Sequence, residues 1–172
     1  MYKCKIVLLG EAQVGKTSLV YRFVNDSFSS SYKSTLGVNL LKKDLEVEGY
    51  GETSAQIWDL GGQESFSSLR KLYLEGAHGG MLLYDVTNET SFKKLDNWVK
   101  SFHEARGEKP LLLIGNKIDL KDRIVVTKEQ GEKYAEEYGF EFIQTSAKTG
   151  NNVDKAFHDL IKDVLDELAS ES

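Results

Sequence analysis

The sequence predicts an α/β fold: a single domain over residues 1–172, with a six-stranded, mostly parallel sheet and five flanking helices. Two observations predict it. Strand patterns alternate with helix patterns along most of the chain, which is typical of a parallel sheet covered by helices on both faces. Near the start, two strand patterns surround the turn EGYGE and predict a hairpin, which adds one antiparallel strand at an edge of the sheet.

The remaining strands follow in order. KCKIVLLG is a buried first strand, NLLKKDLEVEGYGETSAQIW contains the hairpin, and GGMLLYDV, PLLLIGN and FEFIQTS complete the sheet. Helices are expected over residues 16–25, 92–102 and 157–168 from their apolar spacing. TKEQGEKYAEEYG predicts another, since Thr127 and Gln130 form a capping box and a glycine closes the segment. In such sheets, ligands bind beyond the carboxyl ends of the strands.

The hairpin strands should have one face toward the core. Leu41, Leu45, Val47, Ala55 and Ile57 share the inward parity, and Lys43 is an unexplained exception among them. The opposite parity is expected to face solvent: Leu40, Lys42, Asp44, Glu46, Ser54, Gln56 and Trp58. Two interpretations stay open for Leu40, Trp58 and Leu74, which are a satellite core or an anchor for a partner protein.

Composition excludes several classes of protein. The net charge of −5 argues against nucleic acid as a partner, because phosphate neutralisation requires a basic surface. Cys4 is the single cysteine, and the three histidines lack ligand-like spacing, so no internal disulfide and no zinc site are expected. The first apolar run is too short for a signal peptide or a membrane span. We therefore expect a cytoplasmic monomer.

Membrane attachment is a separate question. Tyr2 excludes N-myristoylation, and the final DELASES has no cysteine for a prenyl group. Two explanations stay open, a lipidated tail that has been trimmed or a protein that was never prenylated. Peripheral membrane attachment is expected only through such a tail or through a partner.

The sequence after the first strand predicts a phosphate site. GEAQVGKT, residues 10–17, fits the pattern G-x-x-x-x-G-K-[ST] between a buried strand and a helix. Backbone N–H groups and the start of the helix favour a phosphate there. Lys16 is expected to reach the β- and γ-phosphates, and Thr17 to place its hydroxyl on Mg²⁺. A chance glycine-rich loop is the alternative.

The ends of the fifth and sixth strands predict a guanine site. GNKID supplies Asn116, Lys117 and Asp119, and the carboxylate of Asp119 can accept from N1–H and the 2-amino group of guanine, which adenine lacks. TSAK offers the backbone N–H of Ala147 to guanine O6. Taken alone, NKID also suits an Asx turn and TSAK a plain loop.

WDLGGQES, where the third strand ends, supplies further candidate residues for the phosphate and metal site. Asp59 is placed to hold Mg²⁺ through a water, Gly62 to present a bare N–H to the γ-phosphate, and Gln63 to orient the attacking water. A glycine-rich turn before a helix is the alternative. In FSSSYKSTLG, Thr35 is a candidate second hydroxyl ligand of Mg²⁺, and Phe28 is placed to lie against the base or ribose.

The order GEAQVGKT, STLG, WDLGGQE, GNKID and TSAK resembles the Ras-like small GTPases over the whole chain. The segments STLGVN, IWD, YDVTNETSF and TSAKTGNNV are most similar to the Rab branch. The resemblance implies a P-loop GTPase domain that hydrolyses GTP slowly and switches between GTP and GDP states with Mg²⁺, in membrane traffic or related regulation. It also implies protein effectors, an exchange factor and a GTPase-activating protein as partners.

The resemblance assigns a role to each matching position. Gln63 and Lys16 would be catalytic, and Thr17, Thr35 and Asp59 would hold the metal. The residues implied to bind the nucleotide are Gly10, Gln13, Val14, Gly15, Lys16, Thr17, Ser18, Phe28, Tyr32, Thr35, Gly62, Asn116, Lys117, Asp119, Ser146, Ala147 and Lys148.

Several positions depart from the Rab pattern: Gln13, Gly61 in DLGG, Leu40, and LYLEGA where Rabs usually have YYRGA. The sequence therefore does not fix the hydrolysis rate or the effector. A nucleotide-locked binding module without useful hydrolysis is the main alternative, and Gln63 opposes it. An ATP-using P-loop enzyme is a third possibility, which Asp119 opposes. Residues 28–36 contain no arginine, so a partner is expected to supply the missing charge.

Overall fold

The computed structural model describes residues 1–25, 39–59 and 72–171. Their strands are β1 (Tyr2–Leu9), β2 (Asn39–Val47), β3 (Gly51–Asp59), β4 (Gly79–Asp85), β5 (Leu111–Asn116) and β6 (Glu141–Thr145). They form one six-stranded sheet in the order β2-β3-β1-β4-β5-β6. The β2–β3 pair is antiparallel and the other neighbours are parallel, which confirms the predicted fold class with its antiparallel edge strand.

Five α-helices lie wholly within the described residues: α1 (Lys16–Asn25), α2 (Glu89–Lys93), α3 (Leu95–Arg106), α4 (Lys128–Tyr138) and α5 (Val153–Ser170). Residues 72–74 are also helical. A 3-10 turn covers Lys121–Arg123. The helix predicted over residues 92–102 is longer and divided at Lys94. It begins earlier because Asn88 caps α2, accepting a 3.2 Å hydrogen bond from the Ser91 N–H.

The predicted capping of α4 is confirmed at both ends. The Thr127 hydroxyl accepts from the Gln130 N–H at 3.2 Å, and the Gln130 side chain accepts from the Thr127 N–H at 2.8 Å. Gly139 ends the helix in the left-handed region at φ 78°. These local contacts fix where α4 begins and ends, independently of its packing.

The sheet separates two hydrophobic cores. One core contains side chains of α1 and α5, where the rings of Phe23 and Phe157 stack with centroids 4.1 Å apart. The other contains side chains of α3 and α4, including Trp98 and Phe102. Every residue of β4 and β5 is buried, as their continuous apolar sequences predict. The central strands are thereby held rigidly, and the groups at their carboxyl ends are fixed with them.

The hairpin faces are largely as predicted. Leu41 and Leu45 pack against the first core, and Val47 is buried in it. Lys43, the exception among the inward residues, also lies on this face. Its ammonium lies 5.4 Å from the centroid of the Phe23 ring, and this cation–π contact accommodates the charge there. The prediction that Ser54 faces solvent is wrong, since this residue is only 4 % exposed. Ser54 lies on an inner strand, where it pairs with Lys3 of β1 on one side and with Asp44 of β2 on the other.

The structure places Leu40, Trp58 and Leu74, which were open between a satellite core and a partner anchor, in different environments. Leu74 is buried in the second core, whereas Leu40 is 56 % exposed. Trp58 lies between these extremes, half-buried against the second core, with its ring edge-on to Tyr73 at 6.3 Å. The ammonium of Lys5 lies 3.7 Å from the centroid of the same indole. Leu74 is thus part of the core, Leu40 is exposed to solvent, and Trp58 is partly exposed.

Two carboxyl groups meet where α5 packs on β6. Burial raises the pKa of Asp163 to about 7, and a hydrogen bond to Glu141 adds to this effect. The charges of Asp159 and Asp166 on the same helix act in the same direction. A protonated Asp163 therefore donates to Glu141, and this favourable contact becomes a repulsion between two carboxylates when the proton leaves.

The stability of the fold should depend on the proton of Asp163. The folded-state pKa is raised, so the stabilisation is complete below the ordinary aspartate value of 3.8 and is lost as pH rises through about 7. Asp163→Asn should therefore raise the melting temperature more near about pH 8 than near about pH 4.5. Asp154→Asn, an exposed charge removal in the same helix, should show no such gain at the higher pH. Equal changes at both pH values for Asp163→Asn would contradict this assignment.

Candidate functional site

The carboxyl ends of the parallel strands bring the predicted motifs to one edge of the sheet. Gly10 directly follows β1, Asp59 ends β3, Asp85 ends β4, Asn116 ends β5, and Ser146 directly follows β6. Because β1, β3, β4, β5 and β6 run parallel, these positions face the same side of the molecule.

The loop from Gly10 to Lys16 joins β1 to α1 around a fixed ammonium group. Lys16 is only 5 % exposed, and its Nζ donates to the carbonyls of Gly10 at 2.5 Å and Glu11 at 3.0 Å. Gly10 has φ 142°, and a Cβ there would lie 2.4 Å from the carbonyl oxygen of Leu83 on β4. Gln13 has φ 68° and is exposed. The large side chain that departs from the Rab pattern thus lies at the outer surface of the loop.

Asn116 fastens this loop to β5. Its Nδ2 donates to the Val14 carbonyl at 3.0 Å, and its Oδ1 accepts from the Thr145 hydroxyl at 2.9 Å. The residue is 1 % exposed, so both halves of its amide are paired away from water. Gly15 has φ 98°, and a Cβ there would lie 2.4 Å from Nδ2 of Asn116. Only glycine lets the loop approach so closely.

Lys117 makes a second connection to the same loop. Its Nζ donates to the Gln13 carbonyl at 2.7 Å and lies 3.0 Å from Oδ2 of Asp85. The other oxygen of Asp85 accepts from the N–H and hydroxyl of Thr87 at 2.8 and 2.6 Å. Sequence reasoning missed Asp85, although an acid at the end of a buried strand is the same signal that identified Asp59.

Two predicted metal ligands are in direct contact. The Thr17 hydroxyl donates to Oδ2 of Asp59 at 2.5 Å, and Asp59 is fully buried at the end of β3. A hydroxyl and a carboxylate are the hard oxygen donors that Mg²⁺ prefers, so this pair fits the predicted cation. The third predicted ligand, Thr35, lies outside the described residues.

The predicted base-recognition residues also meet. The Ser146 hydroxyl donates to Oδ1 of Asp119 at 2.7 Å and accepts from the Thr149 N–H at 3.1 Å. Ala147 is buried, and Lys148 is exposed. The hydroxyl of Ser146 therefore orients the carboxylate of Asp119 from the neighbouring loop, and GNKID and TSAK form one unit.

Several predicted residues lie outside the described part of the chain: Phe28, Tyr32, Thr35, Gly62 and Gln63. Gly61, a departure from the Rab pattern, lies there too. Their predicted roles stay predictions. The described residues contribute the phosphate loop, the Thr17–Asp59 pair and the base-recognition residues.

One contact at the phosphate loop joins it to α3. Trp98, 2 % exposed, donates from Nε1 to Oε2 of Glu11 at 2.8 Å, and its ring centroid lies 5.7 Å from Nζ of Lys16. The spacing of apolar residues predicts Trp98 only as part of the apolar face of a helix. The available signal was its indole N–H, which requires an acceptor when buried.

Comparison with known proteins agrees with this geometry. The sequence model of the Ras family matches residues 5–166. The chain belongs to the Ras family. It is 41 % identical to the Ras-related protein Rab-8B of Pongo abelii over 168 residues, covering 97 % of this chain and 81 % of the relative. It is 44 % identical to Rab-13 of Canis lupus familiaris over 162 residues, covering 94 % and 79 %.

The protein is therefore a Rab-like GTPase, as the resemblance implied. Rab-8A of Bos taurus is a further relative, 42 % identical over 164 residues, which cover 95 % of this chain and 79 % of that protein. Within the described ranges of this Rab-like GTPase, no helix combines the length and apolar character needed to cross a membrane.

Removing the Asn116 amide should weaken the whole site. Asn116→Ala leaves the Val14 carbonyl and the Thr145 hydroxyl without this partner, so the free energy of unfolding should fall by roughly 1–3 kcal/mol. Denaturant titration measures this change. Asn97→Ala, at an exposed position of α3, is the matched control and should change stability little. A loss no larger than that of the control would show that the buried amide does not hold the loop.

Proposed function

We propose that this Rab-like GTPase is a molecular switch that hydrolyses GTP slowly to GDP and binds effector proteins in its GTP state, in membrane traffic or related regulation. One observation carries the proposal. The contact between Thr17 and the buried Asp59 joins the phosphate-loop helix to the end of β3, from which the segment with Gly62 and Gln63 continues in the sequence. A ligand that bridges Thr17 and Asp59 would therefore act on both segments.

The phosphates of the nucleotide would occupy the loop between β1 and α1. Lys16 is held above this loop by two carbonyls, which supports a role in contacting the β- and γ-phosphates. The start of α1 adds the positive end of its dipole. Thr17 and Asp59, with Thr35, would hold Mg²⁺, which neutralises negative charge on the phosphates when bound. Gly10, Val14, Gly15 and Ser18 belong to the same phosphate cradle.

The base would be read by Asp119. Its carboxylate accepts from the Ser146 hydroxyl, and Ala147, the next residue in the chain, is buried. These observations support one acceptor for N1–H and N2–H and one donor for O6. An adenine base would leave the carboxylate unpaired, and losing two charge-assisted hydrogen bonds costs roughly 3–6 kcal/mol. Asn116 and Lys117 would act mainly by joining this region to the phosphate loop. Lys148, Phe28 and Tyr32 would complete the walls around the nucleoside.

Hydrolysis would depend on Gln63, which orients the attacking water, and on Gly62, whose N–H approaches the γ-phosphate. With no arginine in residues 28–36, the intrinsic rate should be on the order of 10⁻⁴ s⁻¹, and a GTPase-activating protein would supply the missing charge. An exchange factor would release GDP. The second candidate, a module locked on its nucleotide without useful hydrolysis, differs only in this step.

Effector binding would use the surface next to Asp59. Leu40 is 56 % exposed on β2, and it pairs with Trp58 on β3. Both lie close in sequence to the residues proposed to respond to the γ-phosphate, so a partner that binds them would also sense the nucleotide state. The protein would act in the cytoplasm and reach a membrane through a lipidated tail or a partner.

Guanine preference should depend on the carboxylate of Asp119. Asp119→Asn should lower GTP affinity and increase preference for xanthine nucleotides, because an amide donates where the carboxylate only accepts. Competition binding with GTP, ATP and xanthosine triphosphate measures the change. Asp122→Asn removes an exposed acid nearby in the 3-10 turn and should leave the preference unchanged. If the unmodified protein binds ATP and GTP within about tenfold of each other, the base assignment is wrong.

Gln63→Leu separates the switch from the locked module. A residue that positions water acts in the transition state, so the variant should keep GTP affinity within a few fold while hydrolysis falls. Single-turnover hydrolysis and GTP binding measure the two effects. Gln56→Leu, an exposed glutamine on β3, is the control and should hydrolyse GTP normally. An unchanged rate in Gln63→Leu would favour the locked module, and a large loss of GTP binding would give Gln63 a different role.

A further inference from the structure

Arg22 connects the phosphate-loop helix to the loop that follows β6. It lies in the last turn of α1, the helix that begins at Lys16, and is half-buried. Its Nε donates to the Ala147 carbonyl at 2.7 Å, and its Nη2 donates to the Lys148 carbonyl. One guanidinium thus binds two successive carbonyls of TSAK, the loop that contains the proposed donor to guanine O6.

The loop that Arg22 binds is closed at its other side by its own hydrogen bonds. The Gly150 N–H donates to the Ser146 carbonyl at 2.8 Å, and the Ser146 N–H donates to the Asn151 carbonyl at 3.1 Å. Gly150 has φ 83°, and a Cβ there would lie 3.7 Å from Cδ of Arg22, so the arginine side chain follows the backbone of this turn. The turn is therefore held between Arg22 and its own closing bonds.

The contact between Arg22 and the TSAK loop orients the backbone of the loop; it does not bring a charge to the ligand. A planar guanidinium presents its N–H groups as a rigid fork, and each bond to a carbonyl is charge-assisted. The Ala147 N–H shares its peptide plane with the Ser146 carbonyl, which accepts from the Gly150 N–H. Arg22 holds the next peptide through the Ala147 carbonyl. The two peptides that flank Ala147 are therefore both restrained, and without Arg22 one of these restraints on the residue is lost.

We propose that Arg22 is a positioning residue for base recognition, which aims the Ala147 N–H at O6 of guanine. The proposal rests on the guanine site proposed above. Arg22 does not touch the base; it acts through the backbone of residues 147 and 148. Because the same helix begins with Lys16 and Thr17, Arg22 also fixes the distance between the phosphate half and the base half of the site.

Two nucleotide analogues distinguish the contact to O6, which Arg22 is proposed to control, from the contact to the 2-amino group, which it is not. The 6-thio analogue of GDP replaces O6 with a weaker acceptor and keeps N1–H and the 2-amino group. IDP lacks the 2-amino group and keeps O6. The first analogue therefore reports on the Ala147 N–H, and the second reports on Asp119. Displacement of a fluorescent GDP derivative measures the affinity of each nucleotide for the full chain.

The proposal predicts that Arg22→Ala weakens recognition of guanine O6 and leaves recognition of the 2-amino group unchanged. GDP affinity should fall by roughly two- to tenfold, the size expected for one neutral hydrogen bond between the Ala147 N–H and O6. The preference for GDP over its 6-thio analogue should shrink toward one, while the preference for GDP over IDP should stay as in the unmodified protein. Arg22→Lys keeps the charge but not the fork and should be intermediate. Should Arg22→Ala fail to fold, Arg22→Lys and Arg22→Gln carry the same comparison.

Arg106→Ala is a matched control. The Nε of Arg106 also donates to an alanine carbonyl at 2.7 Å, that of Ala77, and Arg106 is half-buried like Arg22, but it lies at the opposite end of the sheet. This variant should keep both preferences. A selective loss in Arg22→Ala alone supports the proposal, because a general loss of stability would not distinguish the two analogues.

The remaining outcomes overturn either the inference or its premise. An Arg22→Ala chain that keeps both preferences, loses both together, or behaves like Arg106→Ala would overturn the positioning role and leave the guanine site intact. An unmodified chain that rejects IDP but accepts the 6-thio analogue as well as GDP would also overturn it. An unmodified chain without either preference would show instead that the proposed guanine site is wrong.

Discussion

The side-chain amide of Asn116 is the contact on which the rest of the site depends. It is fully buried, it donates to the phosphate loop at Val14, and it accepts from Thr145 at the end of β6. Three segments distant in sequence are thereby held by one rigid planar group. A buried amide with both halves paired stabilises one arrangement strongly, since any displacement leaves a polar group without a partner. The glycine at position 15 is the steric condition for this contact.

Around that amide, lysines and acids are arranged in complementary positions. The ammonium groups of Lys16 and Lys117 both donate to carbonyls of the phosphate loop, and Lys117 also meets the carboxylate of Asp85. Thr17 and Asp59 meet a short distance away along the same edge. These charged groups are thus held in place around a loop that is itself fixed by β1 and β5. Such preorganised charge can act on phosphates without a large rearrangement of the protein.

Much of this arrangement could be predicted from the sequence, for physical reasons. Strand and helix patterns depend on nearby residues. The sheet, the capping of α4 and the order of motifs at the strand ends could therefore be predicted from the sequence. That order also placed Thr17 and Asp59 at one predicted metal site, and the structure brings the two side chains into direct contact. Side-chain contacts between distant segments were not readable, as Trp98 with Glu11 and Lys43 with Phe23 illustrate. Ser54 was misjudged because alternation describes a strand alone, whereas burial depends on the neighbours that cover it.

The position of Lys16 has a consequence for the entropy of ligand association. A free lysine side chain samples many rotamers, and fixing it costs up to about 2 kcal/mol. Here the carbonyls of Gly10 and Glu11 restrain the ammonium, and the indole of Trp98 lies beside it. That ordering occurs when the chain folds rather than when a phosphate arrives. Part of the binding affinity is therefore determined by the folded loop before any ligand is present, and a looser loop would lower affinity even with every contact residue unchanged.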